Sequence, residues 1–186
     1  SKSAHNFYTL PDLYSKGYDA LDFRMLTLQS HYRSATNFSW QNLQAARNRL
    51  HNWRNIAELR HQVSDNASSE QAEKVYGLID QAIDALENDL DTPNAIKHFG
   101  EAFGEFKSDN VNLEALDSLI DTVDQVLGLG IRTATPDIRP ENYQLIDERQ
   151  QARQNKDWAR SDEVRDQLLG QGITIKDGIT PIWNRL

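Results

Sequence analysis

Trp40-Gln41-Asn42-Leu43-Gln44-Ala45-Ala46-Arg47-Asn48-Arg49-Leu50-His51-Asn52-Trp53-Arg54-Asn55-Ile56-Ala57 decides the fold class. Trp40, Leu43, Ala46, Leu50, Trp53 and Ile56 recur in steps of three and four, Ala57 and Leu59 lie alongside, and Val63 extends the stripe. That spacing gathers them on one face of a long helix, which Asn37-Phe38-Ser39 opens. One apolar stripe needs another to bury against, and the chain supplies three more. After a polar break over Ser64 to Ser69, Val75, Leu78, Ile79, Ala82, Leu86 and Leu90 repeat the period. Thr92-Pro93 restarts the chain as a cap followed by a first-turn proline, and Ile96, Phe99, Phe103 and Phe106 form a third stripe. Asn112 caps a fourth helix carrying Leu113, Leu116, Ile120, Val123 and Leu127, which Gly128 and Gly130 stop. Four amphipathic helices with short links predict an antiparallel bundle.

Toward the N-terminus, Thr9 and Pro11 predict a short helix ending at Gly17. Asp19 to Ser30 predicts another, with Leu21, Met25 and Leu28 on one face. Beyond the bundle, Thr133 to Pro140 holds two prolines and reads as a linker. Helices follow over about Glu141 to Gln154 and Asp157 to Leu169, stopped by Gly170. The period then changes. Gly172-Ile173-Thr174-Ile175-Lys176 alternates like a strand, Asp177-Gly178 signals a turn, and Thr180 to Trp183 reads as the return. The expected fold is mainly α, an antiparallel helical bundle followed by a small α+β module with a C-terminal β-hairpin. The expected units are residues 1–34, a bundle over 35–132, a linker over 133–139 and a module over 140–186. The last is too small for a large core of its own, so it is expected to pack on the bundle or on a partner.

Composition narrows the chemistry. The chain has no cysteine, which excludes disulfides, thiolate nucleophiles and cysteine-based zinc sites. No apolar run approaches the roughly 18 residues of a membrane span, and the N-terminus has no apolar core of a secretion signal. A cytoplasmic protein is the expectation. The net charge of −8 argues against a sequence-independent nucleic-acid binder. The charge is uneven, however: residues 1–63 carry +4, residues 64–138 carry −12, and residues 139–186 are neutral. Only the flanks suit a polyanion.

No catalytic constellation is evident. The histidines, His5, His31, His51, His61 and His98, lack ligand spacing. The chain has no phosphate-cradling glycine loop, nucleophile elbow or His-Glu zinc helix. Glu87, Asp89 and Asp91 read as a helix end rather than a calcium loop, which needs a glycine turn and a bidentate acid at fixed offsets. No metal site is expected. Physics alone predicts a helical interaction protein.

Several strings nevertheless resemble the cysteinyl-tRNA synthetases, class I aminoacyl-tRNA synthetases. Ser1-Lys2-Ser3 followed by Asn6-Phe7 resembles the end of the K-M-S-K-S loop, with Ala4-His5 departing from the usual Leu-Gly. His31-Tyr32-Arg33-Ser34 with Asn37-Phe38-Ser39 resembles the stem-contact region. Asn88 to Ala95 resembles a D-D-x-N-T-P stretch, with Asp91 where asparagine is usual. Lys156-Asp157-Trp158-Ala159-Arg160-Ser161-Asp162 through Arg165-Asp166 resembles the K-D-W-A-x-A-D-x-x-R-D block of the anticodon module. Gly172-Ile173, Lys176-Asp177-Gly178 and Trp183-Asn184-Arg185 resemble its terminal pattern, with slightly different spacing after Gly178.

The resemblance implies the tRNA-binding C-terminal region of a ligase that joins cysteine to its tRNA with ATP. The parent's catalytic domain, with its ATP/Mg site and one zinc, is then expected before Ser1. This chain is expected to be inactive alone, with no cofactor of its own. Cysteine tRNA and the catalytic domain of the same protein are the implied partners. Lys2 is implied as the remnant of the ATP-stabilising loop. Arg153, Trp158, Asp162, Arg165, Asp166 and Asp177 are implied as tRNA-binding residues. The chemistry suits unpaired bases: an indole for stacking, guanidinium forks for edges or phosphates, and carboxylates that accept from base amino groups. On the residues alone, Asp162 and Arg165 read first as an ordinary helix-surface pair and Trp158 as a core residue, an order that the resemblance reverses. Lys156 and Arg160 are expected to attract phosphate. Alternatives are a free-standing tRNA- or protein-binding helical module, a helical scaffold with no RNA role, and part of a ligase that couples cysteine to an amino sugar. The Asp157 to Asp166 block and the terminal hairpin count against the last.

Overall fold

A computed structural model describes residues 8–63, 69–178 and 181–186. The first helix, α1 (Leu10–Ser15), starts where the Asp12 carboxylate accepts the Thr9 N–H at 2.6 Å and its hydroxyl at 2.7 Å. The second, α2 (Ala20–Leu28), is capped by Asp19, which accepts from the N–H groups of Leu21 and Asp22. The decisive stretch forms α3 (Trp40–Ala57), capped by Ser39, with Leu43, Ala46, Leu50, Trp53 and Ala57 buried. The stripe does not continue to Val63 as one α-helix. It tightens into a 3-10 turn over Glu58–His61.

The remaining bundle helices are α4 (Ser69–Glu87), α5 (Thr92–Gly104) and α6 (Leu113–Leu127). The expected Thr92 cap is a correction. Asp91 is the cap, its carboxylate accepting the Asn94 N–H at 3.2 Å, and Thr92 is the first helical residue. An aspartate can bond the N–H three residues on, so the residue before the threonine takes the role. Asn112 caps α6 as read, accepting the Ala115 N–H at 2.9 Å. Gly128 ends it at φ 61°, and a side chain there would also collide with the Arg24 guanidinium at 3.0 Å.

A short helix, α7 (Ile131–Ala134), extends into the stretch read as linker. The Asp124 carboxylate accepts its first two N–H groups, of Ile131 and Arg132, and so starts it. After residues 135–139 come α8 (Pro140–Gln154) and α9 (Trp158–Gly170), with proline at the first helical position of α8. Strands β1 (Ile173–Lys176) and β2 (Ile182–Arg185) pair antiparallel, Ile175 opposite Trp183. Of the expected return over Thr180 to Trp183, Thr180 lies outside the described residues, and β2 begins at Ile182.

The apolar residues form two cores. The larger joins the helices up to α7 and centres on Trp53, Phe99 and Phe103, with the rings of Trp53 and Phe103 stacked 4.9 Å apart. The smaller holds Ile138, Ile146, Val164, Leu168, Ile173 and Trp183. The 3-10 turn links them. Gln62 Nε2 donates to the Trp183 carbonyl at 3.0 Å, and Gln62 Oε1 accepts the Trp183 N–H at 2.7 Å. The Glu58 carboxylate accepts the Arg185 N–H at 3.2 Å and Nη1 at 2.5 Å, while Arg185 Nη2 donates to the Pro136 carbonyl. Arg60 Nη2 donates to the Thr135 carbonyl at 2.6 Å. Burial, then the Asp137 carboxylate 2.7 Å away, push the Tyr143 hydroxyl up to about 12.

Glu58 is 1% exposed, so its removal strands the Arg185 donors at the joint. Glu58→Ala is expected to lower stability in urea denaturation by about 2–4 kcal/mol, and Gln62→Ala by about 1–2 kcal/mol. A Glu58→Ala chain with an unchanged midpoint would show that the joint contributes nothing.

Candidate nucleic-acid interface

The site is built on α8, α9 and the loop after β1. Helices α8 and α9 pack against each other, and β1 lies against α9. Val164 and Leu168 anchor the inner face of α9. The i, i+4 geometry then turns Trp158, Asp162, Arg165 and Asp166 outward, and all four are exposed. Asp157 caps α9, accepting the Arg160 N–H at 3.1 Å, which sets Trp158 as the first helical residue. Trp158 is 56% exposed, and the indole that fills the module's core is instead Trp183, 2% exposed. The core reading of Trp158 is therefore overturned.

Arg153, near the end of α8, bridges two elements. Its guanidinium carbon lies 5.8 Å from the centre of the Trp158 ring, and Nη1 lies 3.4 Å from Asp177 Oδ2. Asp177 also receives a fork from Arg149, with Nη1 to Oδ1 at 2.6 Å and Nη2 to Oδ2 at 3.3 Å. Trp158, Arg153, Asp177 and Arg149 thus run as one contiguous row. Asp177 reaches this face by pairing with α8 rather than with α9. The Arg149 hydrogen bond, opposed by partial burial and reinforced by the charges of Arg149, Arg153 and Arg165, holds the Asp177 carboxyl below its usual range. It is an obligate acceptor at neutral pH.

A second group sits on the outer face of α9. Arg165 Nη1 lies 3.0 Å from Asp162 Oδ1, and Nε lies 3.6 Å from Asp166 Oδ1. Such exposed pairs are worth a few tenths of a kcal/mol, little enough for a ligand to displace. Arg160 is already engaged by Glu148 at 2.6 Å and Glu163 at 2.7 Å, so its charge is offset. That offsets one of the groups expected to attract phosphate, which also include Lys156 and the basic first segment. Lys2 lies outside the described residues.

Sequence reading missed Arg149, which is 5% exposed yet has its fork against Asp177. Its signal was the spacing Arg149–Arg153, one turn apart on one helix. The two arginines, Gln150, Gln154, Ile175 and Asp177 line a concavity of about 510 Å³. Apolar wall, amide groups and an oriented ion pair together make a pocket that can take a planar polar ring. Among the described residues no three histidine, cysteine or carboxylate groups gather to hold a metal. Asp89 is instead taken by Tyr32 Oη at 2.7 Å and Arg33 Nη1 at 3.0 Å. Among the same residues no helix is long and apolar enough to cross a membrane.

Removing the Asp177 charge leaves Arg149 buried with no ionic partner. Asp177→Asn is expected to cost about 1–2 kcal/mol at pH 7, after allowance for screening of the half-exposed carboxylate. The folded carboxyl titrates below its unfolded value of 3.8. Its contribution is therefore complete above that value and lost as pH falls through the lowered one. Urea melts of both chains from pH 6 to pH 2 should show the gap narrowing as the pH falls below 3.8. A gap undiminished over that range would contradict the pairing.

Residues 135–180 match the family model described as the cysteinyl-tRNA ligase anticodon binding domain. The whole chain is 32% identical to the cysteine–tRNA ligase of Finegoldia magna, covering 42% of that protein. Over 95% of its length it is 35% identical to that of Lachnospira eligens, covering 40% of it. Over 96% it is 34% identical to that of Novosphingobium aromaticivorans, covering 38% of it. The chain thus spans about two fifths of the length of these relatives.

Proposed function

We propose that this chain, 95–100% of which is similar to the C-terminal part of cysteine–tRNA ligases, is the tRNA-binding region of such a ligase. Its module reads the anticodon of cysteine tRNA, in the cytoplasm, for ATP-dependent cysteinylation by the parent enzyme. Under this reading ATP, magnesium and the cysteine-binding zinc act in the catalytic domain of that parent. Lys2 belongs to its ATP-stabilising loop. The chain divides into residues 1–34, a bundle over 35–132, a linker over 133–139 and the module.

The observation that carries the reading is an exposed indole continuous with a pocket of oriented charge. Unpaired bases are recognised by stacking and by edge hydrogen bonds. Trp158 offers the stacking plate. Arg153, beside its ring, offers donors to a base carbonyl or ring nitrogen. Asp177, held ionised and fixed from behind by Arg149, accepts from a base amino group. Asp162, Arg165 and Asp166 hold one another in exposed pairs and can exchange those partners for base edges. The neutral charge of the module follows, because a surface that reads donors with carboxylates cannot be uniformly basic.

Anisotropy with labelled cysteine tRNA tests this. Trp158→Ala is expected to weaken binding by about 1–3 kcal/mol, roughly 5- to 150-fold. Trp158→Phe should retain much of the affinity. Arg153→Ala and Asp162→Ala are expected to weaken binding and to narrow the preference over a tRNA with a changed anticodon. If both leave affinity and preference intact, the reading is wrong.

A further inference from the structure

A second cleft, of about 320 Å³, lies where the bundle meets the hairpin. Asn52 and Asn55 of α3 line one side, Lys107 and Ser108 of the α5–α6 turn another, and Lys176 and Asn184 of the hairpin the third. Asp177 and Gly178 line both this cleft and the base-sized pocket, so the two concavities meet across that turn.

Its lining carries two lysines, three asparagines and a serine, and little negative charge. Asp177 is the one carboxylate among the described lining residues, and it is occupied by Arg149 and Arg153. Asp109 follows Ser108 in the chain and is the nearest further acid in sequence. Several other cations are paired, Arg160 with Glu148 and Glu163, Arg165 with Asp162 and Asp166, Arg185 with Glu58, and Lys74 with Glu105, whereas Lys156 outside the cleft is in no ion pair among the described residues. Lys107 and Lys176 form no ion pair among the described residues, and both are exposed. Two lysines with no ion pair among the described residues thus line one cleft from separate elements, in a chain of net charge −8.

We infer that this seam holds the sugar–phosphate backbone of the RNA strand that leaves the base-binding pocket. The inference rests on the proposed anticodon reading, since that reading places a loop base on the other side of the 177–178 turn. Lysine is a compact point charge and suits phosphate oxygens, whereas base edges are read by planar forks and carboxylates. The asparagine amides and the Ser108 hydroxyl supply neutral donors to the remaining phosphate or ribose oxygens. The seam therefore adds affinity and position, while the pocket supplies discrimination.

The test is the double variant Lys107→Gln/Lys176→Gln, titrated with cysteine tRNA and with a changed-anticodon tRNA from 50 to 200 mM salt. Both lysines are exposed, and circular dichroism is expected to show an unchanged fold. Loss of two phosphate contacts should weaken both RNAs alike, by about tenfold at low salt, and flatten the log–log salt slope by about 1–2. The ratio between the two RNAs should stay that of the unaltered chain. Unchanged affinity and slope, with that ratio intact, would overturn the seam and leave the anticodon reading standing. A loss confined to the native anticodon would also overturn it, because the lysines would then read bases. A flattened slope in a chain that never distinguished the two RNAs would support the seam and count against the anticodon reading.

Discussion

Among the described residues the outer edge of β2 has no strand beside it, and two bundle side chains take that place. Gln62 gives Trp183 an amide that both donates and accepts, as a neighbouring peptide would. Glu58 gives Arg185 an acceptor for its N–H and for its guanidinium. A two-stranded ribbon is marginal by itself. Here it stands between a small apolar core and a polar edge that the bundle completes. The position of β1, and with it of Asp177, depends on that joint.

The pocket inherits its geometry from the same chain of support. Asp177 follows β1 directly, so the hairpin sets where its carboxylate lies, and the buried Arg149 sets how it points. Arg153 leans on that carboxylate and on the Trp158 ring. None of these contacts is strong alone, and each removes rotamers from a group that would otherwise be disordered by solvent. Pre-organisation of this kind lowers the entropy lost on binding a base.

Much of the bundle was legible because a 3.6-residue period repeated over four long stripes has no competing explanation. Thr9, Ser39 and Asn112 lay where helix starts were expected, since cap chemistry is local. Asp91 displaced Thr92 because two neighbouring residues were chemically fit to cap and only geometry could choose. The 3-10 turn was illegible for a related reason: Glu58, Arg60 and Gln62 are helix-tolerant residues whose partners lie more than seventy residues away. In the module, Trp158 and Trp183 are the same residue type with opposite fates. A first-turn position on a helix and a central position on a ribbon decide between them, and composition does not carry that information. Arg149 went unseen because a buried arginine is uncommon and is justified only by a carboxylate on a different element.

Completing the ribbon with side chains has a consequence for the protein in a crowd. Unpaired strand edges are templates on which other chains can add, and proteins commonly guard them with charge, proline or irregularity. Gln62 and Glu58 act differently, as a plug of fixed length that consumes the groups a foreign strand would need and offers no free edge of its own. The β2 edge is thereby closed to growth, and the hairpin does not invite self-association along that side.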